Sequence, residues 1–185
     1  MFSDIIEIII LSLIQGVSEF LPISSSAHLV VISTLYEFKS NSLLIDVSLH
    51  FGSLLAIITF FRKELFDLKN NQKLLLLIFF GSIPLIIVGY IFYNTELIYM
   101  LRDIRIIAWT TLVFGIILYL ADKCKFDKKI QTDLDLKIIL YIGLFQILAL
   151  IPGVSRAGIT ITAARIFKFN RFDSSKISFL LAIPA

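Results

Sequence analysis

Long apolar runs alternate with short polar segments along the whole chain. Three of the runs, at roughly 43–61, 74–93 and 106–121, approach the roughly 20 residues that a membrane-spanning helix needs. Shorter runs cover 5–14, 29–35, 138–151 and 161–167, and a final apolar piece begins at Ile177. This pattern predicts an all-α polytopic membrane protein in which full spans alternate with pairs of half-length helices.

The first pair of short runs is separated by Gln15–His28, with the sequence QGVSEFLPISSSAH. Pro22 interrupts a helix because it lacks a backbone N–H, and the small residues after it suit a tight turn. Non-helical backbone at membrane depth is tolerated where it lines a cavity or is buried in protein. We therefore predict a re-entrant helix hairpin whose turn contributes to a polar site.

The second pair is interrupted at PGVSRAGIT, residues 152–160. Gln15 and Pro22 before the serines correspond to Gln146 and Pro152 before Ser155, with one residue of slippage. Two such hairpins predict inverted-topology repeats, each with a re-entrant hairpin plus transmembrane helices. In a single membrane domain over 1–185, repeat one covers about 1–121, a cytoplasmic loop about 122–137, and an incomplete repeat two about 138–185. On this symmetry we expect the chain to be C-terminally truncated.

Basic residues give an orientation for these elements. Segments 62–73, 122–137 and 168–176 contain four, five and three Lys or Arg, whereas 94–105 contains two and the first 38 residues none. The positive-inside rule places the three richer segments in the cytoplasm. Lys39 then lies outside, so the first hairpin enters from the outer face and the second from the cytoplasm.

Composition supports a membrane protein and excludes several other classes. Hydrophobic residues make up 58% of the 185 residues, against about 45–50% in soluble domains. The net charge of +3 is modest and its basic residues lie in loops, which argues against a nucleic-acid partner. The single cysteine, Cys124, excludes an intrachain disulfide and a thiolate zinc cluster. With no Lys or Arg before Lys39, a cleavable signal peptide is not expected.

In an inverted repeat the two breaks meet near the bilayer midplane. Arg156 has a fixed fork of donors that matches phosphate oxygens, and at that depth it costs about 2.5–3.5 kcal/mol without a partner. Helix N-termini after each break also bind phosphate. A serine hydroxyl or an imidazole could attack phosphorus, and Glu19 could act as the base or as a ligand for Mg²⁺. The polar residues brought together would be Glu19, Ser24, Ser25, Ser26, His28, Ser155, Arg156 and Thr160.

Simpler interpretations exist for each of these residues. His28 could be a hydrogen-bonded interior histidine, and the serines could bond back to helix carbonyls. Arg156 could pair with Glu19 without contacting any substrate. His50, inside an apolar span, is interpreted as a packing or hydrogen-bonding residue. A transporter or lipid flippase would share the same broken helices and midplane site, so it is the alternative to an enzyme.

The segments GVSEFLPISSSAH and QILALIPGVSRAGIT together resemble the undecaprenyl-diphosphatase family of bacterial inner membranes, the bacitracin-resistance phosphatases. The resemblance extends to HFGSLLA from His50 and to the terminal SFLLAIPA. It implies a multi-pass protein that removes the terminal phosphate of undecaprenyl diphosphate through a pocket open to the outer side. This reaction recycles the lipid carrier of peptidoglycan synthesis. The implied partners are the polyprenyl diphosphate and membrane lipids, with a homodimer as an open alternative.

By position, the family's acidic motif falls on Gln15 and Glu19, its proposed nucleophile on Ser25, and a base or alternative nucleophile on His28. Its second motif falls on Ser155, Arg156 and Thr160. Substrate contacts are therefore expected from Gln15, Ser24, Ser26, Ser155 and Thr160. Mg²⁺ is the expected cofactor and Ca²⁺ the alternative, with Glu19 as a ligand and Gln15 as a weaker, neutral one. Ala157 and Ala27 depart from the family's serine and glycine at those positions.

Overall fold

The computed structural model describes residues 2–38, 43–95, 103–123 and 127–185. Lys39 and Cys124, with their predicted roles, lie outside these ranges. Ten α-helices occupy the described ranges: α1 (Phe2–Ser18), α2 (Ser25–Leu35), α3 (Leu43–Phe60), α4 (Arg62–Phe66), α5 (Leu68–Asn94), α6 (Ile104–Asp122), α7 (Ile130–Asp133), α8 (Leu136–Gln146), α9 (Arg156–Ile166) and α10 (Arg171–Leu181). A short 3₁₀ turn, Ile147–Leu150, continues α8. The predicted all-helical class is confirmed.

Several helices begin before the apolar runs that predicted them. Helix α5 begins where the Asp67 side chain accepts a hydrogen bond from the Asn70 N–H. In the same way Asn170 caps α10, so that much of the predicted loop 168–176 is helical. Hydropathy does not predict these polar first turns, because side-chain capping, and not apolar burial, stabilises them.

The two longest helices carry their apolar residues on the outside. Lys69–Asn94 and Ile104–Asp122 are long and apolar enough to cross a membrane, yet only 22% and 11% of their most hydrophobic windows are buried. The core helix of a soluble protein would be mostly buried. Large exposed side chains along α6 include Trp109, Leu112, Ile116 and Leu120. Such an outward apolar surface suits a lipid environment.

The core is formed where α5 crosses α8, beside α9 and α10. A Cβ atom added to Gly143 would lie 2.0 Å from the Gly81 carbonyl oxygen, so the two helix backbones are in direct contact. Small residues allow such an approach between helices. The side chains of Ile139, Ile142 and Leu181 pack around this crossing and are fully buried. The crossing fixes the position from which the second break and α9 begin.

Ion pairs join the ends of these helices. Asp122 at the end of α6 pairs with Arg165 and Arg171. Lys176 Nζ lies 2.8 Å from Glu64 Oε1 and connects α10 to α4. The hydrogen bond from Lys176 holds the pKa of the Glu64 carboxyl below its usual value. The Glu64 carboxyl therefore remains ionised at neutral pH.

Candidate functional site

The first break separates α1 from α2 and has a strained residue at its end. Ser24, the residue before α2, has φ 65°, a left-handed conformation that is uncommon outside glycine. Its side chain makes no capping hydrogen bond to the helix. The N-terminus of α2 therefore presents its first N–H groups without a side-chain cap from Ser24.

The second break, between the 3₁₀ turn and α9, is held by helix α6. Thr110 Oγ1 donates to the Pro152 carbonyl at 2.7 Å, and Thr111 Oγ1 donates to the Gly153 carbonyl at 3.0 Å. Gly153 has φ +90°, and a Cβ atom there would lie 2.1 Å from Thr110 Oγ1. Ser155 Oγ accepts the Gly158 N–H at 3.1 Å and caps α9. Arg156 is thus the first residue of a capped helix on a braced turn.

The two breaks meet through a single ion pair. Arg156 Nη2 donates to Glu19 Oε1 at 2.6 Å, although 137 positions separate the two residues in the chain. The side chains are only 28% and 11% exposed, respectively. The rings of Phe20 and Phe179 lie 5.9 Å apart beside this contact. Packing around the pair reduces its exposure to solvent, which strengthens the attraction.

Glu19 is the residue on which the polar side chains converge. Ser25 Oγ donates to Glu19 Oε2 at 2.6 Å, and Gln15 Nε2 donates to the same oxygen at 3.1 Å. His50 Nε2 lies 3.7 Å from it. Ser25 therefore bonds to a carboxylate and not back to a helix carbonyl. A hydroxyl held by a carboxylate in this way is the arrangement of a nucleophile with its base.

A cavity of about 480 Å³ opens at this ion pair. Its lining combines polar and apolar side chains, so the cavity suits a ligand with a charged head and a hydrocarbon tail. The polar lining comprises Ser18, Glu19, Ser24, Ser25, Ser26, His50, Ser155 and Arg156. The apolar lining includes Val47, Phe51, Leu54, Ile57, Leu85 and Leu150.

Three of the predicted site residues do not line this cavity. Thr160 is 1% exposed, and its hydroxyl donates to the Arg156 carbonyl and contacts Ser178. Gln15 is equally buried behind Glu19, and its Oε1 has no hydrogen-bond partner among the described residues. His28 is exposed, with Nδ1 2.8 Å from the Ser24 carbonyl oxygen. Their proposed contacts with substrate stay predictions.

His50 also lines the cavity. From the sequence it was interpreted as a packing or hydrogen-bonding residue. Its neighbour one turn along α3 is Ser53, whose Oγ lies 3.4 Å from Gln15 Nε2. Positions three apart lie on one helix face, so His50 and Ser53 both point toward the first break. A polar pair at this spacing within an apolar span could have indicated the role, since such groups rarely face lipid.

The donor set at Glu19 does not fit a cation held by protein side chains. Oε1 is occupied by the Arg156 guanidinium, and Gln15 turns its Nε2 donor toward Oε2. No group of three or more His, Cys, Asp or Glu that could hold a metal ion occurs in the described parts of the chain. The expected ligand roles of Glu19 and Gln15 therefore stay predictions that this arrangement does not favour.

Comparison with known proteins agrees with the resemblance noted in the sequence. Residues 8–185 match the family described as bacitracin resistance protein BacA. An undecaprenyl-diphosphatase from Pelagibacter ubique is 73% identical over 186 residues, covering 100% of this chain and 73% of the relative. Enzymes of that name from Campylobacter curvus and Ruegeria sp. are 43% and 40% identical over 194 residues. These alignments cover 98% and 97% of this chain and 73% and 72% of the relatives.

The family match and the outward apolar faces of α5 and α6 together identify an integral membrane protein. The chain belongs to the bacitracin resistance protein BacA family.

Proposed function

We propose that the protein is an undecaprenyl-diphosphate phosphatase, which hydrolyses undecaprenyl diphosphate to undecaprenyl phosphate and inorganic phosphate. The relatives that share its whole length carry that activity in their names. The observation that carries the proposal is the contact of Ser25, Glu19 and Arg156 in a cavity lined by both polar and apolar side chains. A hydrolase needs this combination of nucleophile, base and anion-binding group.

Binding follows from the two kinds of side chain that line the cavity. The apolar residues accept the first isoprenoid units, and the polar residues around Arg156 accept the diphosphate. Arg156 exchanges its hydrogen bond to Glu19 for hydrogen bonds to phosphate oxygens, which match its fork of donors. The N-termini of α2 and α9 add N–H groups and the positive ends of two helix dipoles.

Ser25 Oγ attacks the terminal phosphorus while its proton moves to Glu19 Oε2. The Oγ–P bond forms as the bridging P–O bond breaks, and undecaprenyl phosphate leaves. Arg156 stabilises the negative charge that develops on the phosphoryl oxygens. Glu19 releases that proton to water and is a carboxylate again. A water molecule then attacks the phosphoserine while Glu19 accepts its proton, and Glu19 returns this proton to Ser25 Oγ as the Oγ–P bond breaks and inorganic phosphate leaves.

Mg²⁺, with Ca²⁺ as the alternative, is proposed as an ion bound to the diphosphate itself, where it would neutralise part of the substrate's charge. Mg²⁺ is commonly held by substrate phosphates with few protein ligands. The carboxylate, amide and hydroxyl groups of the chain then act on the reacting phosphate as described.

In the membrane, α1–α2 and α8–α9 are proposed as re-entrant hairpins of two inverted repeats, in a bacterial inner membrane. The basic segments at 62–73, 122–137 and 168–176 support a cytoplasmic position for those loops. The cavity would then open to the outer side, where the carrier lipid is released during peptidoglycan synthesis. This role agrees with the bacitracin resistance in the family's description.

The test is phosphate release from undecaprenyl diphosphate by the purified protein in detergent, with and without Mg²⁺. Ser25→Ala should lower release by about 10³-fold or more, because the nucleophile is absent. Ser48→Ala is the matched control, since Ser48 is an exposed α3 residue bonded to its own helix at the Leu44 carbonyl.

Binding of the lipid with no phosphate release from the unaltered protein would favour the transporter. Loss of release in His28→Ala, with Ser25→Ala still active, would move the nucleophile to His28.

A further inference from the structure

His50 has a fixed ring orientation. Its Nδ1 lies 2.8 Å from the Asp46 carbonyl oxygen, one turn earlier on α3. A carbonyl oxygen only accepts hydrogen bonds, so Nδ1 must carry the hydrogen. In the neutral ring the lone pair is then on Nε2. This nitrogen faces the cavity and Glu19.

Glu19 Oε2, the oxygen that receives the Ser25 proton, has three polar neighbours in the described structure. Ser25 Oγ and Gln15 Nε2 both donate to it, at 2.6 and 3.1 Å. His50 Nε2, at 3.7 Å, is the neighbour that can accept. A movement of Nε2 by a few tenths of an ångström would bring it within hydrogen-bond distance of Glu19 Oε2. Such contacts commonly shorten when substrate binds.

Exposure increases along this line of groups. The Glu19 side chain is 11% exposed and that of His50 is 41% exposed. Among the described residues that line the cavity with His50, the charged ones are Glu19, after α1, and Arg156, at the start of α9, which pairs with the other carboxylate oxygen. A proton on Glu19 therefore has a short route through His50 to water in the cavity.

We propose that His50 accepts the proton that Glu19 takes from Ser25 and releases it to water in the cavity. Glu19 is then a carboxylate again when water attacks the phosphoserine, and it can accept the second proton. The N–H bond at Nε2 forms as the O–H bond on Glu19 breaks, and the ring returns to neutral when the proton leaves. This assignment rests on the proposed phosphatase function.

The experiment compares His50→Gln with the unaltered protein and Ser48→Ala, measuring kcat and KM for undecaprenyl diphosphate from about pH 5 to 9. Glutamine can still donate to the Asp46 carbonyl but cannot carry the proton. We expect kcat to fall by about 10²-fold, with KM changed less than about threefold. The dependence of kcat on pH should change in the variant, because a group that carries the proton has been removed.

A second variant, His50→Ala, should regain activity with added imidazole, because the vacated volume opens on the cavity. Thermal unfolding in detergent confirms that both variants fold. The assignment would be overturned if His50→Gln had an unaltered kcat and pH profile, or only a raised KM. Phosphate release by the unaltered protein would in that case still support the phosphatase function. No release by the unaltered protein would refute the function itself.

Discussion

At both breaks one helix ends and another begins, but the residue before the new helix is held differently at each. The first ends in the left-handed Ser24 with no side-chain cap. The second is capped by Ser155 and braced by Thr110 and Thr111 of another helix. One break is locally strained and the other is supported.

The difference follows the chemistry that each break provides. In the proposed mechanism, the first carries the carboxylate and hydroxyls that exchange protons and contact the reacting phosphate. The second supplies the positive charge of Arg156. Strain is commonly found at reactive positions, and the first break is joined to the braced second break by the ion pair of Glu19 and Arg156.

The largest expected effect comes from removing the group that joins the breaks. Arg156→Ala should abolish measurable phosphate release, a loss of about 10³-fold or more, and it leaves Glu19 unpaired. Arg156→Lys keeps the charge without the fork, so it should retain a small part of the activity. Phosphate release in detergent, with thermal unfolding of each variant, is the measurement. Near-normal turnover by Arg156→Ala would show that Arg156 does not act in the site.

The brace of the second break is tested at Gly153. Gly153→Ala should destabilise the protein by about 2–3 kcal/mol or more, because φ +90° strains any side chain and its Cβ would collide with Thr110. Gly115→Ala, on the same supporting helix α6, is the control because a Cβ there meets nothing within 4 Å. Thermal unfolding of the two variants should differ clearly. Equal stabilities would show that the second break is not held by α6.

The smallest effects concern the residues that precede α2 and α9. Ser155→Ala should cost about 1 kcal/mol, because the Gly158 N–H loses its acceptor. Ser24→Gly should be neutral or stabilising by up to about 1 kcal/mol, since glycine adopts the left-handed conformation without strain. Denaturation in detergent measures both. If Ser24→Gly destabilised the protein more than Ser155→Ala, the first break would not be the strained one.

Much of the architecture could be predicted from the sequence, because apolar runs and breaks are local patterns. Pro22 and Pro152 marked the interruptions, and the parallel between the two segments indicated that Glu19 and Arg156 would meet. The starts of α5 and α10 were missed, since capping by Asp67 or Asn170 has no hydropathy signal.

Side-chain direction was harder to predict than position. Thr160 lies four residues after Arg156 and bonds back to that residue's carbonyl, away from the cavity. His50 lies in a mostly apolar helix, where the polar pair that it forms with Ser53 was the one indication of which way its ring points. That the ring lies beside Glu19 follows only from the packing of α3 against the first break.

The ion pair between Glu19 and Arg156 has a consequence for biogenesis, because 137 positions separate its members. At about 5–20 residues per second, roughly 7–30 s pass between the synthesis of Glu19 and that of Arg156. During that interval the carboxylate has its local partners, Gln15 and Ser25, which leave the ribosome with it. The polar cluster is therefore assembled in two stages. The negative charge of Glu19 gains its positive partner only when the segment that contains Arg156 has been inserted.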